Sequence, residues 1–392
     1  MISIELDLDK EAIELREKLI RFVYDELLPF EKKHHIDSEE IIPDFALKWA
    51  RERAIELGFY GINLPKKFGG QGISLKTLCV LKEEMAKSGA VLWGVVLGEV
   101  AGPARIGQMM EWFTDEQVEQ YVKPLMAGEI GCCFALTEPG AGSDAKSIKT
   151  KAVKSGDKYI INGKKHFISS SPHADFAIVI TKEVLADGDE VPTAFIVEKK
   201  VGNKPGYDLG KMQVPISGEK NTAELIFDNC EVPASNIIGG SGKGFHLGIK
   251  RINQNRALWG ITYIGVAEHI LQLTLDYAKQ RKQFGNPISK FQAIQHMIAD
   301  MGTEIYATKA MVYDCVEKIE NGEESRVEAS MVKLFASEAT NRIADKAVQI
   351  HGGQGLMQGS PIEKLYRKTR MFRVLTGTSE IQRNTIAKGL LK

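Results

Sequence analysis

The period of the hydrophobic pattern changes twice along this chain, from helical to alternating and back, and no other feature constrains the fold as strongly. From Lys10 to about Met126 apolar residues recur at helical spacing, as in Ile13, Leu15, Leu19, Ile20 and Val23, then Phe45, Leu47, Trp49, Ala54, Ile55 and Leu57. Asn63-Leu-Pro and Phe68-Gly-Gly-Gln-Gly interrupt the pattern, Gly58 fits a helix end and Ser74 fits a helix cap. From about Gly131 to Gly240 short β-rich runs alternate with turn residues: Lys158-Tyr-Ile-Ile, Asn162-Gly163, His166-Phe-Ile-Ser, Phe176–Thr181, Thr193–Val197, and Ala223–Phe227 before Asp228-Asn229. An Asn-Gly pair between β-branched and aromatic residues predicts a hairpin at 162–163. From about Gly244 helical spacing returns in His246–Gln280, Lys290–Asn321, Arg326–Ile350 and Pro361–Leu391, with Phe291, Ile294, Met297, Ile298 and Met301 on one stripe. Helices, then a sheet, then helices predict an α+β fold rather than a doubly wound one. The segments are an N-terminal all-α domain over 1–130, a middle antiparallel β-domain over 131–240 and a C-terminal four-helix bundle over 241–392.

Composition narrows the function classes. The 392 residues carry 51 Lys+Arg against 51 Asp+Glu, so there is no general electrostatic reason to expect nucleic acid or an anionic membrane as partner. No uncharged apolar run approaches the roughly 20 residues of a membrane span. Five cysteines without CxxC spacing read as free thiols, and a soluble cytoplasmic enzyme is the expectation. The histidines include no HxxxH or HExxH, no Cys/His cluster has zinc spacing and no GxSxG elbow is present. Gly140-Ala-Gly-Ser-Asp-Ala fits GxGxxA, yet a strand-like run rather than a helix follows it, so a Rossmann reading fails. Gly239-Gly-Ser-Gly-Lys-Gly lacks the Ser or Thr of a phosphate loop and reads as a linker. Chemistry based on an organic cofactor is left as the expectation.

Two segments are denser in ligand-binding features. Phe134-Ala-Leu-Thr-Glu-Pro-Gly-Ala-Gly-Ser143 combines glycines that admit close backbone approach with the hydroxyls of Thr137 and Ser143. Val348-Gln-Ile-His-Gly-Gly-Gln-Gly355 ends a helix, and Thr376-Gly-Thr-Ser-Glu-Ile-Gln-Arg starts another, whose N–H groups suit a pyrophosphate. With Arg281-Lys-Gln-Phe-Gly and Leu64-Pro-Lys-Lys-Phe-Gly-Gly, and in this order, these motifs resemble the acyl-CoA dehydrogenase superfamily of flavoproteins over essentially the whole chain.

The resemblance implies FAD as cofactor, an acyl-CoA substrate and an electron acceptor such as an electron-transfer flavoprotein. It places Phe134, Leu136, Thr137, Gly142 and Ser143 around the flavin, Ser143 also near CoA, and Phe167 and Ser169 against the flavin ring. It makes Arg281, Gln283 and Phe284, with Gln349 and Gly353, contacts to a neighbouring subunit's FAD, implying a homotetramer or homodimer. Thr378 and Glu380 lie by the pyrophosphate and adenosine, while Asn253, Asn255 and Arg256 occupy the acyl-CoA region. Trp93 and Trp259 narrow the acyl pocket or simply belong to the core.

One departure stands out. The family's catalytic base, a Glu, immediately precedes the Gly-Thr seen here as Gly377-Thr378, or in a minority precedes the Arg seen here as Arg256; this chain has Thr376 and Asn255 at those positions. Neither side chain is a useful base, and general base catalysis supplies about 10²–10⁴-fold. The Thr376 backbone N–H remains as a donor to a thioester carbonyl. Three readings follow: a relocated base such as Glu99 acting at a remote carbon of a short or cyclic acyl group; a non-dehydrogenating flavoenzyme such as a desulfinase or a monooxygenase-like relative; or a silent flavin- or CoA-binding protein.

Overall fold

Asp9 opens the first helix of the computed structural model, which describes residues 8–392 apart from the side chains of residues 249–254. Its carboxylate accepts from Ala12 N, and α1 (Lys10–Phe22) buries Ala12, Leu19 and Phe22. Helix α2 (Asp44–Glu56) ends just before Gly58, where φ is +76°. Ser74 caps α3 (Leu75–Lys87) by accepting from Thr77 N, as its position predicts. Five further helices of twelve residues or more follow: α4 (Gly244–Gln280), α5 (Gln292–Glu320), α6 (Arg326–His351), α7 (Pro361–Phe372) and α8 (Ser379–Leu390). Among the described residues no helix is long and apolar enough to cross a membrane, and the five cysteines are buried and form no disulfide.

Contacts divide the chain into two units, each discontinuous in sequence. One gathers the chain up to His35, Ser74–Trp93 and Asn253–Lys392; the other gathers Ile36–Ile73 and Gly94–Ile252. In the first unit the stripe on α5 packs as its spacing predicts: Met301 is buried in a core with Ile264, Ile270, Ile305 and Ile343, and Phe291, Ile294, Met297 and Ile298 lie against it. A Cβ at Gly265 would sit 2.7 Å from the Ala86 Cβ, so glycine is what lets α4 approach α3. The expected helix over Pro361–Leu391 is instead two helices. Thr376 (φ +58°) and Gly377 (φ +93°) turn the backbone left-handed between them, and Thr378 accepts from Ile381 N to cap the second.

The same unit buries a charged network. Lys309, 5% exposed, is 2.6 Å from both Glu83 and Glu268, while the Tyr313 hydroxyl donates to Glu83 at 3.0 Å. Burial, then repulsion from Glu83, pushes the Glu268 carboxyl from 4.5 up to about 7, with Lys309 pulling the other way. A carboxyl whose folded pKa is raised favours the folded state most at low pH and loses that contribution as pH rises through the folded value. Glu268→Gln stays neutral and leaves Lys309 paired with Glu83. The melting temperature of the variant minus that of the parent should therefore grow as pH rises from 4.5 to about 7. Parallel pH profiles would reject this account.

The second unit holds one eight-stranded sheet: β1 (Cys132–Ala135), β2 (Lys151–Ser155), β3 (Lys158–Ser169), β4 (Phe176–Val184), β5 (Glu190–Glu198), β6 (Asp208–Met212), β7 (Thr222–Pro233) and β8 (Ile237–Ile238). Its path is β6-β7-β3-β2-β4-β5-β8, antiparallel except where β1 and β2 run parallel to β4. The hairpin predicted at Asn162-Gly163 is not there. It lies at Gly156-Asp157, between paired Ser155 and Lys158. Asn162-Gly163 is inside β3 and faces Asp228-Asn229 inside β7, one residue against two between the pairs Ile161–Cys230 and Gly163–Phe227. This is a β-bulge, held by Asn229 N donating to Asn162 Oδ1 at 2.8 Å with Asn229 at φ +48°. Turn-forming residues here bend two strands rather than end them.

Candidate active site

Strand β3 alternates buried and exposed residues, and a second bulge, His166-Phe167 against Glu224 between the pairs Lys165–Leu225 and Ile168–Ala223, sets which side chains face out. Around it Lys165 and Ile168 point inward while Phe167 and Ser169 are exposed. Phe167 is 62% exposed at φ +57°, and its N–H donates to Gln213 Oε1 at 2.8 Å. An aromatic side chain fixed outward on a left-handed backbone suits a flat ring lying against it, as the expected flavin has. The loop after β1 is tied to the same strand: His166 N donates to Thr137 O at 2.8 Å, and Lys165 Nζ donates to Leu136 O at 3.0 Å. So Leu136 and Thr137, both half-buried, are tied to the strand that carries Phe167 and Ser169, and Phe134, also half-buried, precedes them on β1. Gly142 and Ser143 are exposed further along the loop, and a Cβ on Gly140 or Gly142 would meet nothing within 4 Å. The backbone there is bare and open to a ligand.

What holds this loop was missed in the sequence. Lys165, fully buried, lies 2.7 Å from the Glu138 carboxylate, which also accepts from Lys149 N at 2.6 Å and Thr150 N at 3.0 Å. Burial pushes Lys165 down to about 8 against the pull of Glu138. For Glu138 burial acts upward, but Lys165 and the two N–H groups outweigh it and hold the carboxyl below its ordinary range. The signal was a lysine at an inward position of a strand.

In the other unit the expected cofactor contacts are exposed. Arg281 through Pro287 include a small hairpin in which Gln283 pairs with Asn286, and Phe284 at its tip is 92% exposed at φ +49°. Gln349 and Gly353 are exposed at the end of α6. Tyr277 joins the two segments: its carbonyl accepts from Arg281 N at 2.8 Å, its hydroxyl donates to His351 O at 3.2 Å, and its ring stacks on His351. At the start of α8, Thr378 is the cap and Glu380 is exposed, its carboxyl held below the ordinary range by the helix-start N–H and the Thr378 side chain.

The turn at 376–378 is clamped from inside the bundle. Lys333, fully buried on α6, donates to Gly377 O at 2.7 Å; Gln382 Nε2 donates to Gly377 O at 3.0 Å and Thr376 O at 3.3 Å. A Cβ on Gly377 would lie 2.7 Å from that Gln382 nitrogen and 3.8 Å from Arg256 Nη2. Arg256 is 7% exposed and donates to Ser330 Oγ at 3.2 Å; Asn255 beside it is half-buried, and the side chain of Asn253 lies outside the described residues. Burial, then the Arg256 charge, pushes Lys333 down to about 8. Trp93 and Trp259 meet edge to face at 6.5 Å, with Lys82 Nζ within 6 Å of both rings. Trp259 leads on to Tyr263 at 5.7 Å, and Tyr263 stacks on Phe372 at 4.1 Å. Glu99 lies in the sheet-bearing unit, half-buried, where its charge acts on the buried Arg105 guanidinium.

Comparison with known proteins gives this geometry a context. Residues 9–129, 133–230 and 242–391 match the models of the acyl-CoA dehydrogenase N-terminal, middle and C-terminal domains. The chain is 38% identical to the 3-(aryl)acrylate reductase of Clostridium sporogenes, over 97% of this chain and 99% of that one. It is 39% identical to the caffeyl-CoA reductase-Etf complex subunit CarC of Acetobacterium woodii, over 87% and 89% respectively. An acyl-CoA dehydrogenase structure from Geobacillus kaustophilus superposes with a TM-score of 0.86 at 32% identity, over 99% of this chain and 100% of that one.

Proposed function

Because this chain belongs to the acyl-CoA dehydrogenase family and is an FAD-dependent oxidoreductase of CH–CH groups, we propose that it works reductively, saturating a short or cyclic α,β-unsaturated acyl-CoA. The observation that carries this is Thr376 where the resemblance places a carboxylate. Losing the base slows proton transfer to and from the α-carbon alike, because forward and reverse share one transition state. Only the downhill direction then keeps a usable rate, and hydride addition to a conjugated thioester by a reduced flavin is downhill. The surroundings suit it. Arg256 and Lys333 are buried cations at a turn whose residue 376 bears no charge, which favours a developing enolate oxygen. The reductases of Clostridium sporogenes and Acetobacterium woodii support the same direction.

In this reading the reduced FAD supplies a hydride, and the chain binds, orients and manages the proton. Phe134, Leu136, Thr137, Gly142, Ser143, Phe167 and Ser169 hold the flavin, and Ser143 reaches toward CoA. Thr378 and Glu380 take the pyrophosphate and adenosine; Arg281, Gln283, Phe284, Gln349 and Gly353 complete the FAD site of a second copy in a homodimer or homotetramer. Asn255 and Arg256 contact the acyl-CoA, Trp93 limits the acyl chain, and the Thr376 N–H polarises the thioester carbonyl. Electrons arrive through an electron-transfer flavoprotein.

The test is anaerobic single-turnover spectroscopy. Dithionite-reduced protein should be reoxidised by unsaturated thioesters faster than oxidised protein is bleached by the saturated counterparts. Faster bleaching would overturn the direction and make Glu99 the base to examine. No response to either would leave a silent ligand-binding protein.

A further inference from the structure

Lys333 carries a charge that the bundle does not neutralise. It is fully buried on α6, and its ammonium makes no ion pair among the described residues. Glu338, further along the same helix, is engaged elsewhere: it accepts from Ser379 Oγ at 2.7 Å and pairs with Arg373 at 2.9 Å. Arg256 adds a second buried positive charge that acts on Lys333. Burying a cation without a counter-ion is costly, so an anion in front of it is the expected complement. The hydrogen bonds show where the charge is directed. Lys333 Nζ donates to Gly377 O at 2.7 Å, and the fully buried Gln382 donates to the same oxygen at 3.0 Å. That carbonyl therefore points into the bundle. No peptide bond is cis, and a trans peptide sets its N–H opposite to its C=O, so the Thr378 N–H points away from both buried donors. It donates to nothing among the described residues, and Thr378 is the cap of the twelve-residue α8. Gly377, at φ +93°, permits this orientation, and a Cβ there would lie 2.7 Å from the Gln382 nitrogen. An ammonium, a peptide and a helix start stand in series, each with its positive end outward.

Resting on the assignment of Thr378 to the FAD pyrophosphate above, we propose that Lys333 is a positioning residue for that diphosphate, acting on it through the Gly377–Thr378 peptide. Its hydrogen bond to Gly377 O fixes the direction of the Thr378 N–H, which is offered to a phosphate oxygen. A cation on the carbonyl oxygen also polarises the amide, so the N–H on its far side becomes a stronger donor. The charge itself acts across a water-poor interior, where salt screens it little. No bond forms or breaks, and Lys333 stays behind the backbone it holds. The charged groups that face it are Arg256 on α4, Glu338 on α6 and Glu380 on α8. Burial, then Arg256, lowers its ammonium to about 8 against the pull of the two acids, and a bound diphosphate raises it again. Linkage then requires FAD affinity to be highest below that value and to fall as pH rises through it.

The experiment compares two flavins, one with the diphosphate and one without. Lys333→Met should weaken FAD binding to the deflavinated chain about tenfold and leave riboflavin binding unchanged. The ³¹P resonances of FAD bound to the holoenzyme should shift in the same variant. Without FAD, its melting temperature should hold or rise, because a buried charge is removed while Gln382 still donates to Gly377 O. Equal losses for both flavins with a lower melting temperature would make Lys333 a clamp for the turn alone and overturn the proposal. Unchanged FAD affinity would overturn it too. In the parent, FAD affinity should fall as pH rises from about 7 to 9 while riboflavin affinity stays level, and Lys333→Met should abolish that difference. A parent without this fall would overturn the role of the charge, and this arm requires no variant to fold. Weaker FAD binding with unmoved ³¹P resonances would place the diphosphate away from Thr378 and overturn that assignment together with the proposal.

Discussion

Replacing Lys165 with methionine should strip the protein of tightly bound FAD while the remainder of the sheet still forms. Lys165 Nζ holds both the Leu136 carbonyl at 3.0 Å and the Glu138 carboxylate at 2.7 Å, inside a strand where it is fully buried. Removing one partner of a buried ion pair leaves the other charge unmatched and typically costs about 3–5 kcal/mol. Glu138 would keep its two backbone donors, Lys149 N and Thr150 N, so part of its charge remains satisfied and the fold survives. The freed element is the loop from Leu136 to Ser143, whose bare glycine backbone is assigned to the flavin. If half the cost falls on ordering that loop for the cofactor, affinity drops about tenfold or more. Gel-filtered Lys165→Met should lose its flavin absorbance and melt well below the parent. The double change Lys165→Met with Glu138→Gln should recover melting temperature, because no unpaired charge is left, but not the cofactor. Retention of FAD by the single variant at parent affinity would show that the clamp does not set the loop.

The fold was readable in the sequence where hydrophobic period and capping agree. The stripe from Phe291 to Met301 and the cap at Ser74 fell where predicted, because local geometry alone fixes them. Asn162-Gly163 misled because the same residues that permit a tight turn also permit a bulge; what decides is the pairing partner, Asp228-Asn229, more than sixty residues away. The residues assigned to the flavin were legible only through motif order, since nothing in their spacing shows that His166 N and Lys165 Nζ tie the loop to β3. Lys165 and Lys333 were not found as site residues for one shared reason. Each places a polar atom on an otherwise apolar face, a violation of pattern rather than a pattern. Lys333 lies one residue from Val332 and three from Ala336 on the buried side of α6, and only the position of Gly377 O gives its ammonium a purpose. Such violations mark functional positions more often than the periodic residues around them do.

Introducing a carboxylate at the vacant position should raise turnover by about 10²–10⁴-fold, the usual contribution of a positioned general base. Thr376→Glu also relieves the backbone. Any Cβ costs roughly 1–2 kcal/mol at φ +58°, a β-branch adds to that, and glutamate has no branch, so only the added part is relieved. Asn255→Gly is made in the same chain because Asn255 stands at the other position where the resemblance places a base, directly before Arg256. Arg256 and Lys333 then meet a negative charge, which lowers the carboxyl pKa and places the gain toward the lower end of the range. Because a catalyst cannot move an equilibrium, kcat/KM for the saturated and the unsaturated thioester of one pair should rise by the same factor at a given pH. Bleaching by a simple saturated acyl-CoA, slow in the parent, then becomes easy to follow. A variant that keeps FAD, binds the thioester and gains nothing would mean that the bond to be broken does not lie over residue 376.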